Sequence, residues 1–210
     1  MGLVPADYRN MNRDEAEEFD KRVVKNFAQA FPAVARQVME TCNILRGVCV
    51  EIGSGTCRLT MELARQSELE IYALEKAPAM YERGKENIEK AGLSGRVTTI
   101  LGDAHEMPFA DNFADLIVSR GSYHYWTDKV VVFKEVMRVL KPSGKAFIGG
   151  GFGHGHSDAE LEKMVKLRNQ SLGDDAANYY SPKKMKEILH DAGIQRYVII
   201  ADETGMWAVI

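Results

Sequence analysis

From residue 47 onward, short apolar runs alternate with longer stretches whose apolar residues recur at helical spacing. The runs are typical of buried strands, and the longer stretches are typical of amphipathic helices. Strands that are joined through helices run parallel, so the alternation predicts a parallel sheet with helices on both faces. The predicted strands are 48–52, 71–74, 97–101, 114–119 and 145–149, the predicted helices are 56–66, 78–91 and 129–140, and KPSG at 141–144 is a predicted turn.

The C-terminal end breaks this alternation. Ser181 and Pro182 are typical of the first residues of a helix, which is predicted to end at Ala192 before Gly193. The strand-like segments RYVIIAD and GMWAVI follow, with only ETG at the centre of their link. A link this short cannot hold a crossover helix, so the two strands are predicted to be antiparallel neighbours. The predicted fold class is α/β: a doubly wound, seven-stranded, mainly parallel sheet that ends in an antiparallel hairpin.

Two amphipathic helices are predicted before the first strand. Asn12 and Glu15 have the spacing of a capping box, and Phe19, Val23 and Phe27 then recur every four residues. Phe31-Pro32 ends the first helix, and a second follows it. Its apolar face consists of Val34, Val38, Cys42 and Leu45. We therefore divide the chain into a helical cap or lid at residues 1–46 and a sheet domain at residues 47–210.

The charge balance excludes some classes of partner. Lysine and arginine total 27 against 30 acids, for a net charge of -3. Such a balance offers no broad basic surface for nucleic acid or for an anionic membrane. The three cysteines fit neither a disulfide framework nor a zinc site, and no signal peptide is evident at the start. We expect a cytoplasmic monomer or homodimer that contains no metal.

The stretch VCVEIGSGTCRL, residues 48–59, joins the first predicted strand to a helix. Gly53 and Gly55 let the backbone approach a ligand closely at the carboxyl end of that strand, where doubly wound sheets bind nucleotides. A plain tight turn explains two glycines equally well. A dinucleotide fingerprint would have a third glycine at the position of Arg58, and a related nucleotide pattern would have it at Cys57.

Three acids lie at the ends of three successive strands. Glu75 follows Gly53 by 22 residues, a position from which a carboxylate can accept both hydroxyls of a ribose. Asp103 is placed to accept a hydrogen bond from an adenine amino group, and Glu51 lies inside an apolar strand, where it needs backbone donors or a cation. Taken singly, Glu75 could be a solvated loop acid and Asp103 a turn cap. The coincidence of three acids favours a nucleotide site.

From about residue 45 to residue 150 the chain resembles the class I S-adenosylmethionine-dependent methyltransferases. VEIGSGTC, YALEKAPAMYERGKENIEKAGL, GDAHEMPFADNFADLIVSRGSYHYWTD and EVMRVLKPSGKAFIGG resemble four family motifs. The third is similar to the subgroup that includes quinone-biosynthesis and small-molecule enzymes. The resemblance implies the strand order 3-2-1-4-5-7-6 and S-adenosylmethionine as the methyl donor. It implies cofactor contacts at Glu51, Gly53, Ser54, Gly55, Glu75, Lys76, Asp103, Ala104, His105, Ser119 and Arg120.

Three positions depart from the family pattern or stand out within it. Cys57 replaces the last glycine of the first motif, and we expect it to pack or to serve the backbone, although a helix N-terminus favours a thiolate. Lys76 is expected to pair with Glu75 or to point to solvent. Arg120 is expected to meet the cofactor or the acceptor, or to form a surface salt bridge.

The implied reaction is an in-line displacement at a sulfonium methyl group, with a small molecule as acceptor. His124 is the candidate general base, although a histidine that only holds its loop is an alternative. Tyr8, Met11, Tyr123, Tyr125, Trp126, Phe152 and His154 are the candidate acceptor-side residues, and Tyr179 and Tyr180 are further ones. The glycine-rich GGGFGHGH, residues 149–156, is predicted to be a mobile lid. Its His154 and His156 make only a weak metal site.

Two other functions share these residues. An NAD-dependent oxidoreductase would use the same glycines and an acid near Glu75, but the glycine missing at Arg58 and the presence of Asp103 disfavour it. A module that binds S-adenosylmethionine without catalysis is the other alternative. The acceptor itself stays open among quinone precursors, amines, thiols and metalloids, although the positions of Cys42 and Cys49 disfavour a three-cysteine thiol and metalloid mechanism.

Overall fold

A computed structural model describes residues 8–172 and 181–210. Its centre is a seven-stranded sheet in the order β3-β2-β1-β4-β5-β7-β6. All neighbouring pairs are parallel except those of β7, which runs antiparallel to both β5 and β6. The strands are β1 Arg46–Ile52, β2 Glu68–Glu75, β3 Val97–Leu101, β4 Ala114–Arg120, β5 Leu140–Gly151, β6 Val198–Asp202 and β7 Gly205–Val209. The predicted fold class and strand order are confirmed.

Helices cover both faces of the sheet. They are α1 Arg13–Phe27, α2 Ala30–Cys42, α3 Arg58–Gln66, α4 Pro78–Lys90, α5 Lys129–Val139, α6 Asp158–Leu172 and α7 Pro182–Asp191, with short 3-10 turns at Tyr8–Asn10 and Tyr123–Tyr125. Within the described ranges, no helix combines the length and the apolar character needed to cross a bilayer.

Alternate residues of the central strands supply two separate apolar cores. Cys49 and Leu116 face the core that contains α2 and α3. Val50 and Ile117 face the core that contains α5 and α7. Successive side chains of a strand point to opposite faces, so the continuous apolar runs in the sequence reflect burial on both sides. With both faces covered, the carboxyl ends of the parallel strands are left as the place for a site.

The KPSG segment is part of β5 and is not the predicted turn. Leu140 pairs with Ala114, but the next paired residue, Lys145, lies opposite Leu116. Four residues on β5 therefore stand against one on β4, which is an irregular bulge rather than a chain reversal. Gly144 fits there because an added Cβ would lie 2.9 Å from the carbonyl oxygen of Asp115. The segment contains proline, serine and glycine, which are typical of turns, because a bulge needs the same unusual backbone angles as a turn.

The glycine-rich GGGFGHGH segment differs from the predicted mobile turn. Gly149 and Gly151 belong to β5, where an added Cβ would lie 2.0 Å and 2.4 Å from carbonyl oxygens of Met206 and Thr204. Gly153 lies against the backbone of α2, with an added Cβ 2.5 Å from the amide nitrogen of Val34. These glycines therefore allow close packing of backbone on backbone. The sequence had instead predicted that they make this segment a mobile lid.

The first two helices have different surroundings. The capping box of α1 is confirmed: the Asn12 side chain accepts from the Glu15 amide, and the Glu15 carboxylate accepts from the Asn12 amide. Helix α2 contributes Val34 and Val38, both fully buried, to the core beside the sheet. The segment 1–46 predicted as a cap thus contains a core helix, and α1 is the part that faces the strand ends.

Candidate active site

A cavity of about 420 Å³ lies at the carboxyl ends of β1 to β5. Its size is in the range of small-molecule sites. Most of the residues predicted from the sequence line it together. They are Glu51, Gly53, Ser54, Gly55, Glu75, Lys76, Asp103, Ala104, His105 and Arg120 from the predicted cofactor set, and Tyr8, Tyr125, Trp126 and Phe152 from the predicted acceptor set.

The turn after β1 requires glycine at two positions. Gly53 and Gly55 have φ angles of 68° and 55°, in the left-handed region that glycine adopts without strain. An added Cβ on Gly53 would lie 2.3 Å from the Cβ of Ser122. The hydroxyl of Ser122 donates to the carbonyl oxygen of Ile52 at 2.9 Å, and Ser119 can then donate to Ser122. Ser119 thus stabilises the turn through Ser122. It does not line the cavity, although the sequence predicted that it contacts the cofactor.

Cys57 has a left-handed backbone at φ 61° and ψ 26°, although it is not a glycine. Its thiol is buried, and its Sγ lies 3.7 Å from the hydroxyl oxygen of Ser54. Burial raises the pKa of the Cys57 thiol to about 12, with the Glu51 carboxylate adding to the effect. The helix N-terminus therefore does not produce the thiolate that it would favour at an exposed position. Cys57 is a packed thiol at a position where the family pattern has glycine.

Glu75 is buried at the end of β2 and holds the glycine turn. Its Oε2 accepts from the Gly55 amide at 2.8 Å, and its Oε1 accepts from the amides of Lys76 and Ala77 at 2.9 Å and 2.8 Å. Burial raises the pKa of Glu75, and the three backbone donors oppose that rise. A carboxylate fixed by backbone donors, with its remaining lone pairs facing a cavity, is suited to accept a pair of hydroxyl groups.

Asp103 is held by its neighbours on two sides. Lys76, whose side chain is exposed, donates to its Oδ2 at 2.5 Å, so Lys76 pairs with Asp103 and not with the expected Glu75. His105 donates its amide and its Nδ1–H to Oδ1, and its Nε2 accepts the Asp128 amide. Burial would raise the pKa of Asp103, but the hydrogen bonds from Lys76 and His105 outweigh it and hold the pKa well below its ordinary value. Asp103 is thus an ionised acceptor at the end of β3.

Glu51 lies deep in the cavity wall, with 3% of its surface exposed. Thr60 donates its hydroxyl to Oε2. Burial raises the pKa of Glu51 to about 7, although Thr60 and the charge of Arg120 oppose the rise. The sequence predicted that Glu51 needs hydrogen-bond donors or a nearby cation. The structure provides the Thr60 hydroxyl as a donor and the charge of Arg120 as the cation.

The aromatic residues after β4 divide into two groups. Tyr125 lines the cavity with Tyr8, and their ring centroids are 5.1 Å apart. Tyr123 and His124 do not line it, and Tyr123 instead packs edge-on to Trp126. Burial lowers the pKa of His124 to about 3, with the charge of Lys129 adding to the effect, so its ring is neutral.

The remaining predicted residues are not among those that line the cavity. Met11 packs in a small cluster with Ala77 and Met80. His154 is hydrogen-bonded to Gln37 at 2.8 Å, and the His156 ring to the carbonyl oxygen of Phe152 at 2.9 Å. Tyr179 and Tyr180 lie outside the described residues.

One wall of the cavity was not predicted. It consists of Phe19, Val23 and Phe27 from α1, Phe31 from α2 and Arg168 from α6. The stripe on α1 was visible in the sequence, but nothing in it showed which surface it would cover. Arg168 is one of many charged residues on α6, so nothing in the sequence of that helix indicates that this residue would line the cavity.

Asp20 also escaped prediction, and it fixes α1 in place. It is 1% exposed and accepts hydrogen bonds from Thr56, Arg58 and Arg83 at distances of 2.5–3.0 Å. Burial opposes ionisation of Asp20, but the donors, with Arg58 foremost, outweigh it and lower its pKa. The available signal was an acid on the inward face of α1, in register with Ala16, Val23 and Phe27.

Three features define a nucleotide-binding protein of the doubly wound α/β class. They are the glycine turn after β1, the buried carboxylate that accepts from the amides of that turn, and the cavity at the carboxyl ends of the strands. A sequence model of the family described as "Methyltransferase domain" matches residues 50–148. The ubiquinone/menaquinone biosynthesis C-methyltransferase UbiE of Idiomarina loihiensis is 32% identical over 166 residues, which are 78% of this chain. The chain spans 62% of the length of that relative.

Two solved structures extend the comparison. A proposed S-adenosyl-L-methionine-dependent methyltransferase of Methanococcus maripaludis is 34% identical with a TM-score of 0.85, over 95% of this chain and 92% of that one. Phosphoethanolamine N-methyltransferase 2 of Haemonchus contortus, solved with S-adenosylhomocysteine, is 23% identical with a TM-score of 0.60. The match covers 80% of this chain and 38% of that one, and at this identity it shows only the shared fold. The chain belongs to the class I S-adenosylmethionine-dependent methyltransferases.

Proposed function

We propose that this chain transfers the methyl group of S-adenosylmethionine to a small-molecule acceptor inside the cavity. The observation that carries the proposal is Glu75: a buried carboxylate that is fixed by the Gly55 amide and faces the cavity. Such a group matches the ribose of a nucleoside, and the family membership identifies which nucleoside the site would take.

The described residues fit that ligand from one end to the other. At the ends of β2 and β3, Glu75 would accept the ribose hydroxyls and Asp103 the adenine amino group. Ala104 and His105, in the loop after β3, extend the adenine side of the cavity. Gly53, Ser54 and Gly55 line the cavity beside Glu51, where the amino-acid part would lie. The positive charge of the donor sulfur favours a site near carboxylates.

The bound cofactor supplies a methyl group on a positively charged sulfur. The residues of this chain would hold the acceptor in line with that group and exclude water. Alignment of two reactants contributes much of the rate in such a reaction, because it removes the entropy cost of their meeting. Phe27, Phe31 and Phe152 give the acceptor an apolar enclosure. His124 is not given the role of base here, because its ring does not line the cavity.

The described part of the N-terminal segment supports a cap. Tyr8 lies against Tyr125 at the cavity wall, and Met11 packs beside the start of α4. We infer that residues 8–27, with α1, close the cavity over its ligands, while α2 belongs to the core. We also infer a cytoplasmic location, because Cys42, Cys49 and Cys57 are all buried free thiols and suit a reducing compartment. Either a monomer or a homodimer is compatible with this function.

The test is turnover with S-adenosylmethionine that carries a deuterated methyl group. The protein is incubated with a panel of phenols, quinols, amines and thiols, and mass spectrometry follows the label. The proposal predicts a labelled product and an equal amount of S-adenosylhomocysteine. Binding without any product across the panel would favour the non-catalytic module. Tight binding of NAD in place of S-adenosylhomocysteine would favour the oxidoreductase.

A further inference from the structure

The cavity has an aromatic end over β4 and β5, which we call the acceptor end. It is lined by Phe27, Phe31, Phe152, Arg120 and Arg168. In the sheet order, the end of β5 lies three strands from the end of β2, which is about 14 Å at the usual strand spacing. The acceptor end is therefore separated from Glu75 and Asp103, the carboxylates assigned to the nucleoside.

Three rings give the acceptor end a flat, apolar character. Phe27 and Phe152 are stacked with centroids 5.8 Å apart and planes within 7° of each other. Both are buried, and Met164 of α6 packs with them. Aromatic rings prefer stacked or edge-on partners, so this wall favours a planar aromatic ligand over an aliphatic one of equal size.

Each of the two guanidinium groups lies on one of these rings. Arg120 is 4.9 Å from the centroid of Phe31, and Arg168 is 5.5 Å from the centroid of Phe152. The Nε–H of Arg120 also donates to the carbonyl oxygen of Gly151 at 2.9 Å, which fixes its plane at the end of β5. A guanidinium that covers an aromatic ring directs its donors along the ring plane, where a planar carboxylate can accept them.

The charge at this end is positive. Among the described residues that line the cavity, Glu51 is the carboxylate on β1, the strand next to β4, and the charge of Arg120 opposes the rise in its pKa. Burial raises the pKa of Glu51 to about 7, so it offsets Arg120 only in part. Glu75 and Asp103 lie at the ends of β2 and β3, two and three strands from β4, which carries Arg120.

We propose that the acceptor is a planar aromatic molecule with a negatively charged substituent, held between the phenylalanine rings and the guanidinium groups of Arg120 and Arg168. This inference rests on the proposed function, because it names the class of molecule that the cavity methylates. The negative group lies at Arg168, and the ring lies between Phe27 and Phe31. The atom that receives the methyl group then points back toward Glu51 and the glycine turn.

The experiment titrates four probes by ligand-observed NMR, with and without S-adenosylhomocysteine. The probes are benzoate, benzyl alcohol, benzylamine and cyclohexanecarboxylate, which separate charge from aromaticity. We expect benzoate to bind about tenfold more tightly than benzyl alcohol or benzylamine, because a charged pair replaces a neutral contact or a repulsion. Cyclohexanecarboxylate is expected to bind severalfold more weakly than benzoate. Equal affinities, or no binding of benzoate at millimolar concentration, would overturn the inference.

Variants locate the negative group. Arg168→Gln is expected to weaken benzoate binding about tenfold and to leave benzyl alcohol and S-adenosylhomocysteine within about twofold. Lys166→Gln, an exposed position on the same helix, is the matched control and is expected to change nothing. Arg120→Gln is expected to behave like Arg168→Gln. If Arg120→Gln weakens S-adenosylhomocysteine while Arg168→Gln leaves benzoate unchanged, the guanidinium groups do not hold an acceptor and the inference is wrong.

The two proposals fail differently. Failure of S-adenosylhomocysteine to bind would contradict the proposed function, whereas the probe preference is measured in its absence as well. Normal binding of S-adenosylhomocysteine with no preference for benzoate would leave the methyltransferase proposal intact and remove only the acceptor class.

Discussion

At the scale of single residues, Cys57 is the least ordinary feature of the turn after β1. A left-handed backbone costs about 1–2 kcal/mol for a residue with a Cβ. Gly84 on α4 accommodates the thiol, because an added Cβ there would lie 2.7 Å from the Sγ of Cys57. The glycine of the family motif that this chain lacks at Cys57 thus has a counterpart at Gly84, and we expect the two positions to be coupled.

A double-mutant cycle tests this coupling. Gly84→Ala is expected to destabilise the protein by about 1–3 kcal/mol through overpacking. In a Cys57→Gly background the same change is expected to cost about 1 kcal/mol less, since the thiol is gone while the carbonyl oxygen of Gly55 stays 3.0 Å away. Urea unfolding measures both values. Gly95→Ala, where an added Cβ meets no atom within 4 Å, is the control. Additive effects of the two changes would show that they are independent.

The buried Glu51 gives the stability of the protein a particular pH dependence. Its pKa is raised to about 7 in the folded protein, so folding favours its protonated form. The stability it contributes is present below its ordinary pKa of about 4.5 and is lost as the pH rises to 7, by about 3 kcal/mol. Relative to Glu51→Gln, the wild type is expected to lose that amount between pH 4.5 and 8 in urea melts. An unchanging difference across this range would contradict the assignment, and exposed Glu40→Gln is the control.

At the scale of elements, α1 connects the two ends of the cavity. Its Phe27 belongs to the acceptor end, and its Asp20 holds Thr56 and Arg58, which directly follow the glycine turn. A movement of α1 would therefore alter both halves of the site. This is the physical reason to treat α1 as part of the site, although it precedes the sheet in the chain.

Asp20→Asn is expected to lower the free energy of unfolding by about 3 kcal/mol, because it leaves Arg58 and Arg83 partly buried without their carboxylate. It is also expected to weaken S-adenosylhomocysteine binding, since Thr56 and Arg58 lose their anchor. Thermal unfolding and calorimetry measure the two effects. Asp14→Asn, on the exposed first turn of α1, should change neither. A stable Asp20→Asn protein with wild-type affinity would show that the network does not position the turn.

The cap proposal makes a kinetic prediction. Closure over the ligand should slow amide exchange in residues 8–15 when S-adenosylhomocysteine binds, because lids order as they exclude water. Deletion of residues 1–11 should reduce turnover much more than thermal stability. Exchange in α7, on the far side of the sheet domain, serves as the internal control. Fast exchange at residues 8–15 in both states, with full activity of the truncated protein, would make the segment an ordinary tail.

At the scale of the whole molecule, local signals in the sequence predicted the sheet and the nucleotide end of the cavity. The glycines at 53 and 55 and the acids at 75 and 103 belong to short motifs whose geometry follows from their own strands. Arg168 and Phe31 reach the cavity, and Asp20 reaches Thr56 and Arg58, only through tertiary packing, so these contacts could not be predicted from their neighbours in the chain. The KPSG bulge was predicted as a turn because a bulge and a turn require the same residue types.

The central claim is that the carboxylate of Glu75 holds the ribose of S-adenosylmethionine in this cavity. Titration calorimetry with S-adenosylhomocysteine tests it on three proteins: the wild type, Glu75→Gln and Glu70→Gln, the last at an exposed position of the same strand. The account predicts one site per chain, a loss of roughly 10- to 150-fold for Glu75→Gln, and no change for Glu70→Gln. Absence of binding to the wild type, or equal affinity in wild type and Glu75→Gln with both proteins folded, would contradict it.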